Sequence, residues 1–160
     1  MEISENSRVW IYQANRPFNG PEQSRIEQVL GDFVKGWDAH GHKLASGYEI
    51  RYGRFVILMV DESVTAASGC SIDKSSNIIR QIEQEFGVNL FDRFNMAYRK
   101  DNEVVSCSRS EFEALLQQGV INENTVVFNN TVQTKKELDS SWEVPFKESW
   151  HSRFFQQSVS

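Results

Sequence analysis

From Phe55 to Val60, six apolar residues run without a break. The run is too short for a helix core and rich in β-favouring side chains, so it predicts a central strand. Asp61 and Glu62 end it with charge. Residues 63–71 are then almost all small. Ile72, Ser75, Ile79, Ile82 and Phe86 fall on one helical face, and Gly87 supplies a left-handed stop. Upstream, Val9–Gln13 reads as a short strand. Asn19 reads as a helix cap, with Pro21 in the first turn and Glu22 three residues after the cap. Ile26, Val29, Leu30, Phe33, Val34 and Trp37 keep helical spacing without a gap. Asp38–Gly47 reads as a loop. Tyr48, Ile50 and Tyr52 alternate with Glu49 and Arg51, as in a half-buried edge strand, and Gly53-Arg54 turns it into the apolar run. Phe91–Tyr98 offers a fourth strand.

The order strand, helix, strand, strand, helix, strand is that of a split βαβ unit. It predicts an α+β fold with a ferredoxin-like antiparallel sheet core, two helices covering one face. Beyond it, Arg99–Glu103 reads as a hairpin turn and Val104–Cys107 as a return strand. Ser108 caps a third helix, with Glu111 completing a capping box and Gly119 ending it; Phe112, Leu115 and Leu116 form its apolar face. Thr125–Phe128 is a further strand and Asn129-Asn130 a turn. From Thr131 the chain is sparse in apolar residues. Trp142, Val144, Phe146, Trp150, Phe154 and Phe155 stand apart between polar ones. The expected organisation is a core domain over residues 1–130 and an aromatic-rich C-terminal extension over 131–160. The extension would dock its large side chains singly on the core, and residues 156–160 would fray.

Composition narrows the class. The 160 residues are 39% apolar, with a net charge of −5, so the chain is globular rather than disordered. No basic run exceeds Lys135-Lys136, which argues against nucleic acid as a partner. The beginning MEISENSRVW lacks the features of a signal peptide, and no apolar stretch reaches membrane-spanning length. A cytoplasmic protein without membrane insertion is expected. Cys70 and Cys107 fit neither a disulfide framework nor a zinc spacing, so both read as reduced thiols.

Several segments together resemble a known group: VWIYQANRPF, EIRYGRF, ASGCSIDKS, EQEFGVNLFDR, VVFNN, SWEVP and SWHSRF. They are similar to a family of short, uncharacterised bacterial proteins that often carry the automatic label "ABC transporter ATPase". The resemblance covers nearly the full length and implies no established activity. The residues do not support the label. A Walker A loop needs G-x-x-x-x-G-K-[ST], whose glycines let backbone N–H groups wrap phosphates. The nearest segment, SGCSIDKS, places Ser68 and Asp73 at the two glycine positions, and Asp73 puts a carboxylate where a phosphate would sit.

The remaining candidates each have a functional and a structural reading. Cys70 precedes the second helix, where the dipole and the N–H groups favour thiolate; Lys74 would assist and Asp73 oppose. Against this, a small thiol in a tight turn is more often packing. Ser68, Gly69, Ser71 and Ser75 would be the ligand-binding residues if that loop were open. Asp38, His40 and His42 carry metal-type donors but alternate along a loop, where solvated histidines are the commoner outcome, so no metal is expected. Arg51, Arg54, Asp92, Arg93 and Arg99 suit charge pairs across the sheet or, instead, a pocket for a small anion. Asn129-Asn130 satisfies turn backbone or reads amides or sugars. Trp142, Trp150, His151 and Arg153 form an aromatic and basic group that anchors either a partner or the tail itself.

Two functions follow from these readings. The first is a non-catalytic binding or interaction domain, without cofactor, for a protein or small-molecule partner; the open face or edge of a ferredoxin-like sheet also admits a homodimer. The alternative is a small cysteine-dependent enzyme or redox-responsive protein using Cys70. No complete catalytic constellation can be assembled, so the first is preferred.

Overall fold

The structure, a computed structural model, describes residues 3–155, and the expectation for residues 156–160 falls outside them. The elements run β1 (Arg8–Gln13), α1 (Gly20–Gly36), β2 (Asp38–Ala39), β3 (His42–Lys43), β4 (Ala45–Arg51), β5 (Phe55–Asp61) and α2 (Gly69–Phe86). There follow β6 (Met96–Lys100), β7 (Glu103–Cys107), α3 (Arg109–Gln117), β8 (Val126–Phe128), α4 (Lys135–Ser141), β9 (Glu143–Pro145) and α5 (Trp150–Phe154). The fold is mixed α and β, with antiparallel sheets. Two compact units form, one from residues 3–91 with 133–136 and one from 92–132 with 137–155. Residues after 130 therefore contribute to both.

In the first unit the sheet order is β1-β5-β4, with Gln13 opposite Phe55 and Arg51 opposite Phe55 from the other side. Val56, Leu58 and Val60 form one core with Ile26 and Leu30 of α1, Ile79 and Ile82 of α2, and Trp37 and Leu44. The alternate row, Phe55, Ile57 and Met59, is buried as well. A strand buried on both faces has no reason to alternate, which accounts for the unbroken apolar run. It also means that β5 offers no open sheet face.

The strand expected over Phe91–Tyr98 does not join this antiparallel sheet. Residues 91–95 lie outside the strands, and β6 belongs to another sheet, of order β7-β6-β8-β9. The edge of β1 is met instead by residues 133–136. Val9 N–H donates to the Gln133 carbonyl at 2.9 Å, Lys135 N–H to Ser7 at 2.9 Å, and Arg8 bridges Thr134. These contacts span over a hundred residues of chain, and TVQTKK has no apolar alternation by which to read them. Asp38–Gly47, expected as a loop, instead holds a two-residue hairpin turned by His40 and Gly41, both at positive φ, and the start of β4.

The three long helices begin where capping chemistry directs. Asn19, Ser68 and Ser108 each accept from the backbone N–H three residues on, and donate their own N–H back to the side chains of Glu22, Ser71 and Glu111. Gly87, at φ 62°, ends α2 as expected.

The second unit packs around Phe112 of α3. Phe155 stacks on it at 4.9 Å, with Phe146, His151 and Tyr98 at 5.7–6.4 Å; Met96, Leu116 and Val127 complete the core. Phe146, Trp150 and Phe155 of the tail thus share one cluster with Phe112, while Trp142 packs on Phe128, and the tail adds β9 and two helices of its own. Phe112→Ala should remove the centre of this cluster and lower stability by about 3–5 kcal/mol. Urea unfolding followed by near-UV circular dichroism measures that loss.

Candidate functional site

At the start of α2, the capping box between Ser68 and Ser71 fixes the first turn and leaves Cys70 exposed at its second position. The Ser71 hydroxyl bonds the Ser68 carbonyl at 2.8 Å, the Ser75 hydroxyl bonds the Ile72 carbonyl at 2.5 Å, and both residues are buried. Of Ser68, Gly69, Cys70, Ser71 and Ser75, Gly69 and Cys70 are the exposed members. Residues 69–75 are helix rather than a loop. Lys74 is engaged with Asp38 at 3.2 Å, and the Trp37 indole donates to the Ser71 carbonyl at 2.8 Å. These two contacts bring the β2–β3 hairpin, with exposed His40 and His42, to the same end of the unit as Cys70. No hydrogen bond joins Cys70 to a histidine, and no three metal-type side chains gather, among the described residues. Asp73 is exposed.

Cys107 differs. It lies on β7 opposite Met96, and burial, aided by the nearby Glu111 carboxylate, pushes its thiol up to about 12.

The arginines divide into paired and unpaired. Arg51 meets Glu49 at 2.9 Å and Arg99 meets Glu143 at 2.6 Å. Arg16, unremarkable in the sequence, grips both oxygens of Glu22 at 2.8 Å and the Phe86 carbonyl at the end of α2. That bidentate bond, with the Asn19 N–H, holds the Glu22 carboxyl down at about 2. Asp92 accepts from the Phe94 N–H, a turn contact that reverses the chain ahead of β6, and Arg93 is exposed. Arg54 is buried and pairs with no acidic group among the described residues.

In the second unit the aromatic candidates separate by burial. Trp142 is buried, edge-on to Phe128, with its indole N–H on the Asn130 side chain at 2.9 Å. Asn129 accepts from the Thr131 N–H, so the Asn pair serves the turn and the tryptophan. His151 is buried, stacked on Trp150 at 4.0 Å and bonded through Nδ1 to the Ser149 hydroxyl at 2.5 Å. Arg153 is exposed. The exposed aromatics are others: Phe94, 48% exposed, and Phe154, 40% exposed, lie 6.2 Å apart. The Arg109 guanidinium sits over both, at 5.6 and 4.8 Å. Sequence reading placed Phe94 inside a strand and so missed this group. The signal available was FDRF, where Asp92 and Arg93 break the apolar alternation.

Two measurements follow from these environments. Iodoacetamide near pH 8 should alkylate Cys70 in the folded protein while Cys107 reacts only after denaturation, read by mass spectrometry of the two peptides. Burial lowers His151 from its ordinary 6.5 to about 4. The unfolded chain therefore takes up this proton at a higher pH than the folded one. The stability carried by neutral His151 is complete above pH 6.5, erodes as pH falls, and is lost by about pH 4, some ~3 kcal/mol in all. His151→Phe should flatten that part of the curve, measured by urea midpoints between about pH 4 and 7. No family model matches the chain, and no curated protein or solved structure matches it either.

Proposed function

We propose that the protein is a non-catalytic, cytosolic interaction domain that binds a protein segment through the Phe94–Phe154–Arg109 surface of its second unit. The observation that carries this reading is the pair of exposed rings 6.2 Å apart with one guanidinium over both. Aromatic rings joined to arginine are the composition of binding hot spots, since the rings bring large apolar area and the guanidinium orients a carboxylate. Exposed Arg153, on the same short helix as Phe154, adds positive charge. The fitting partner is a segment with an apolar side chain flanked by Asp or Glu. Buried His151 supports this surface from inside, stacked on Trp150, whose ring meets Phe154 edge-on at 5.6 Å. The first unit is read as a ferredoxin-like sheet whose fourth position is taken by residues 133–136. No ATPase role belongs to the proposal, because the segment nearest to a phosphate-binding loop is helical. No helix among the described residues is long and apolar enough to cross a membrane.

A second reading, a cysteine-dependent enzyme or redox-responsive protein, is favoured by the exposure of Cys70. Against it, Lys74 is engaged with Asp38, and no hydrogen bond joins Cys70 to a histidine among the described residues.

Selection of displayed random peptides on the full chain tests the first reading. Enriched peptides should carry acidic residues beside Leu, Ile or aromatic ones. They should lose at least about tenfold in affinity toward Phe94→Ser/Phe154→Ser and toward Arg109→Glu. Peptides that bind these variants as well as the parent would overturn the assignment, as would a selection that enriches nothing above the double variant.

A further inference from the structure

Arg54 stands where β4 turns into β5, and its charge is buried without an acidic partner among the described residues. The residue is only 6% exposed. Its Nη1 is buried with no hydrogen-bond acceptor, and no ion pair includes its guanidinium among the described residues. Arg51, three residues earlier on the same hairpin, is by contrast paired with Glu49. Burial is the cause that lowers the Arg54 pKa, yet an arginine keeps its proton under any ordinary condition. The charge therefore persists inside the unit, where an unpaired ion is strongly disfavoured.

The backbone around it is fixed. Arg54 N–H donates to the Arg51 carbonyl at 3.2 Å, and its own carbonyl accepts from Ala14 at 2.8 Å. The Gly53 carbonyl accepts from Phe18 at 2.7 Å, and Phe18 immediately precedes Asn19, the cap of the 17-residue helix α1. The turn is thus fastened to the N-terminal end of α1, which carries partial positive charge. Gln23 lies against the same turn, its Oε1 3.6 Å from where a Cβ at Gly53 would stand. Its side-chain amide makes no hydrogen bond to a described residue. The acid closest in sequence on α1, Glu22, is held by Arg16 and by the Asn19 N–H. The turn that carries Arg54 thus lies beside the N-terminal end of α1 and the Gln23 amide, and the Glu22 carboxylate is already engaged.

We propose that Arg54 anchors a binding site for a small oxyanion, the carboxylate or phosphate group of a small molecule, at the α1 end of the β4–β5 turn, with the Gln23 amide as a second donor. The planar guanidinium presents two parallel N–H groups that match either group bidentately. This site is independent of the aromatic surface of the second unit.

Nuclear magnetic resonance of the full chain labelled with ¹³C,¹⁵N-arginine tests it directly. The Arg54 Nε–H signal is assigned by its loss in Arg54→Lys. Inorganic phosphate and acetate are then titrated separately, with chloride holding ionic strength constant. The Arg54 signal should shift saturably with at least one probe, and the probe that binds more tightly names the class. Arg54→Met should weaken that binding at least about tenfold, and Gln23→Leu several-fold. An Arg54 signal that moves with neither anion, as for a guanidinium hydrated by trapped water, would overturn the proposal. So would unchanged affinity in Arg54→Met. Should Arg54→Met fail to fold, the titration of the parent still decides the matter.

Discussion

β5 has no side that faces water. Both of its edges are hydrogen-bonded, to β1 and to β4, and both rows of its side chains are buried. In a strand so enclosed, every backbone group must be answered by the ladder and every side chain must be apolar. The remaining architecture of the first unit follows from supplying those partners. α1 and α2 cover one row with Ile26, Leu30, Ile79 and Ile82. Tyr52 and Gly53 adopt left-handed conformations so that β5 can return alongside β4 at once. The abrupt turn carries Arg54 toward the enclosed strand, so a charged residue lies where the chain has already committed to burial.

Helix starts are fixed by small polar groups rather than by apolar content. At Asn19, Ser68 and Ser108 the reciprocal bonds of the capping box satisfy N–H groups that would otherwise lack acceptors. This decides the exposure of Cys70 as well. Ser71 turns inward to complete the cap, and the neighbouring thiol faces outward. At the far end of the chain, the Ser149 hydroxyl accepts from the His151 N–H and bonds its ring, ordering a helix only five residues long.

Local signals were legible in the sequence wherever they acted within a few residues. The caps at Asn19 and Ser108, the Gly87 stop, the apolar run of β5 and the α1 face were all written in short spacings, whereas the Ser68 cap lay inside a small-residue stretch that reads as a loop. Pairings between distant segments were not. The strand expected over Phe91–Tyr98 has the right residues, but Met96, Ala97 and Tyr98 pair with β7 and β8 instead of with β1. The choice between two sheets depends on which edge is offered, which propensity does not encode. Among the candidate residues, chemistry was legible and burial was not. Trp142 and Phe154 are both large aromatics among polar neighbours in the tail, yet one is enclosed and the other exposed. Arg51 and Arg54 are likewise alike in sequence, yet Arg51 meets Glu49 and Arg54 is buried.

The strip at residues 133–136 ties the order of synthesis to the order of folding. The first 91 residues emerge with nearly all of their unit's core, but the outer edge of β1 waits for a segment more than forty residues later. Until that segment arrives, the Val9 N–H and the Ser7 carbonyl form an unclosed margin, the kind that templates pairing between chains. Truncation after Phe91 would make that margin permanent. Moving the termini so that 133–136 precedes β1 would close it early.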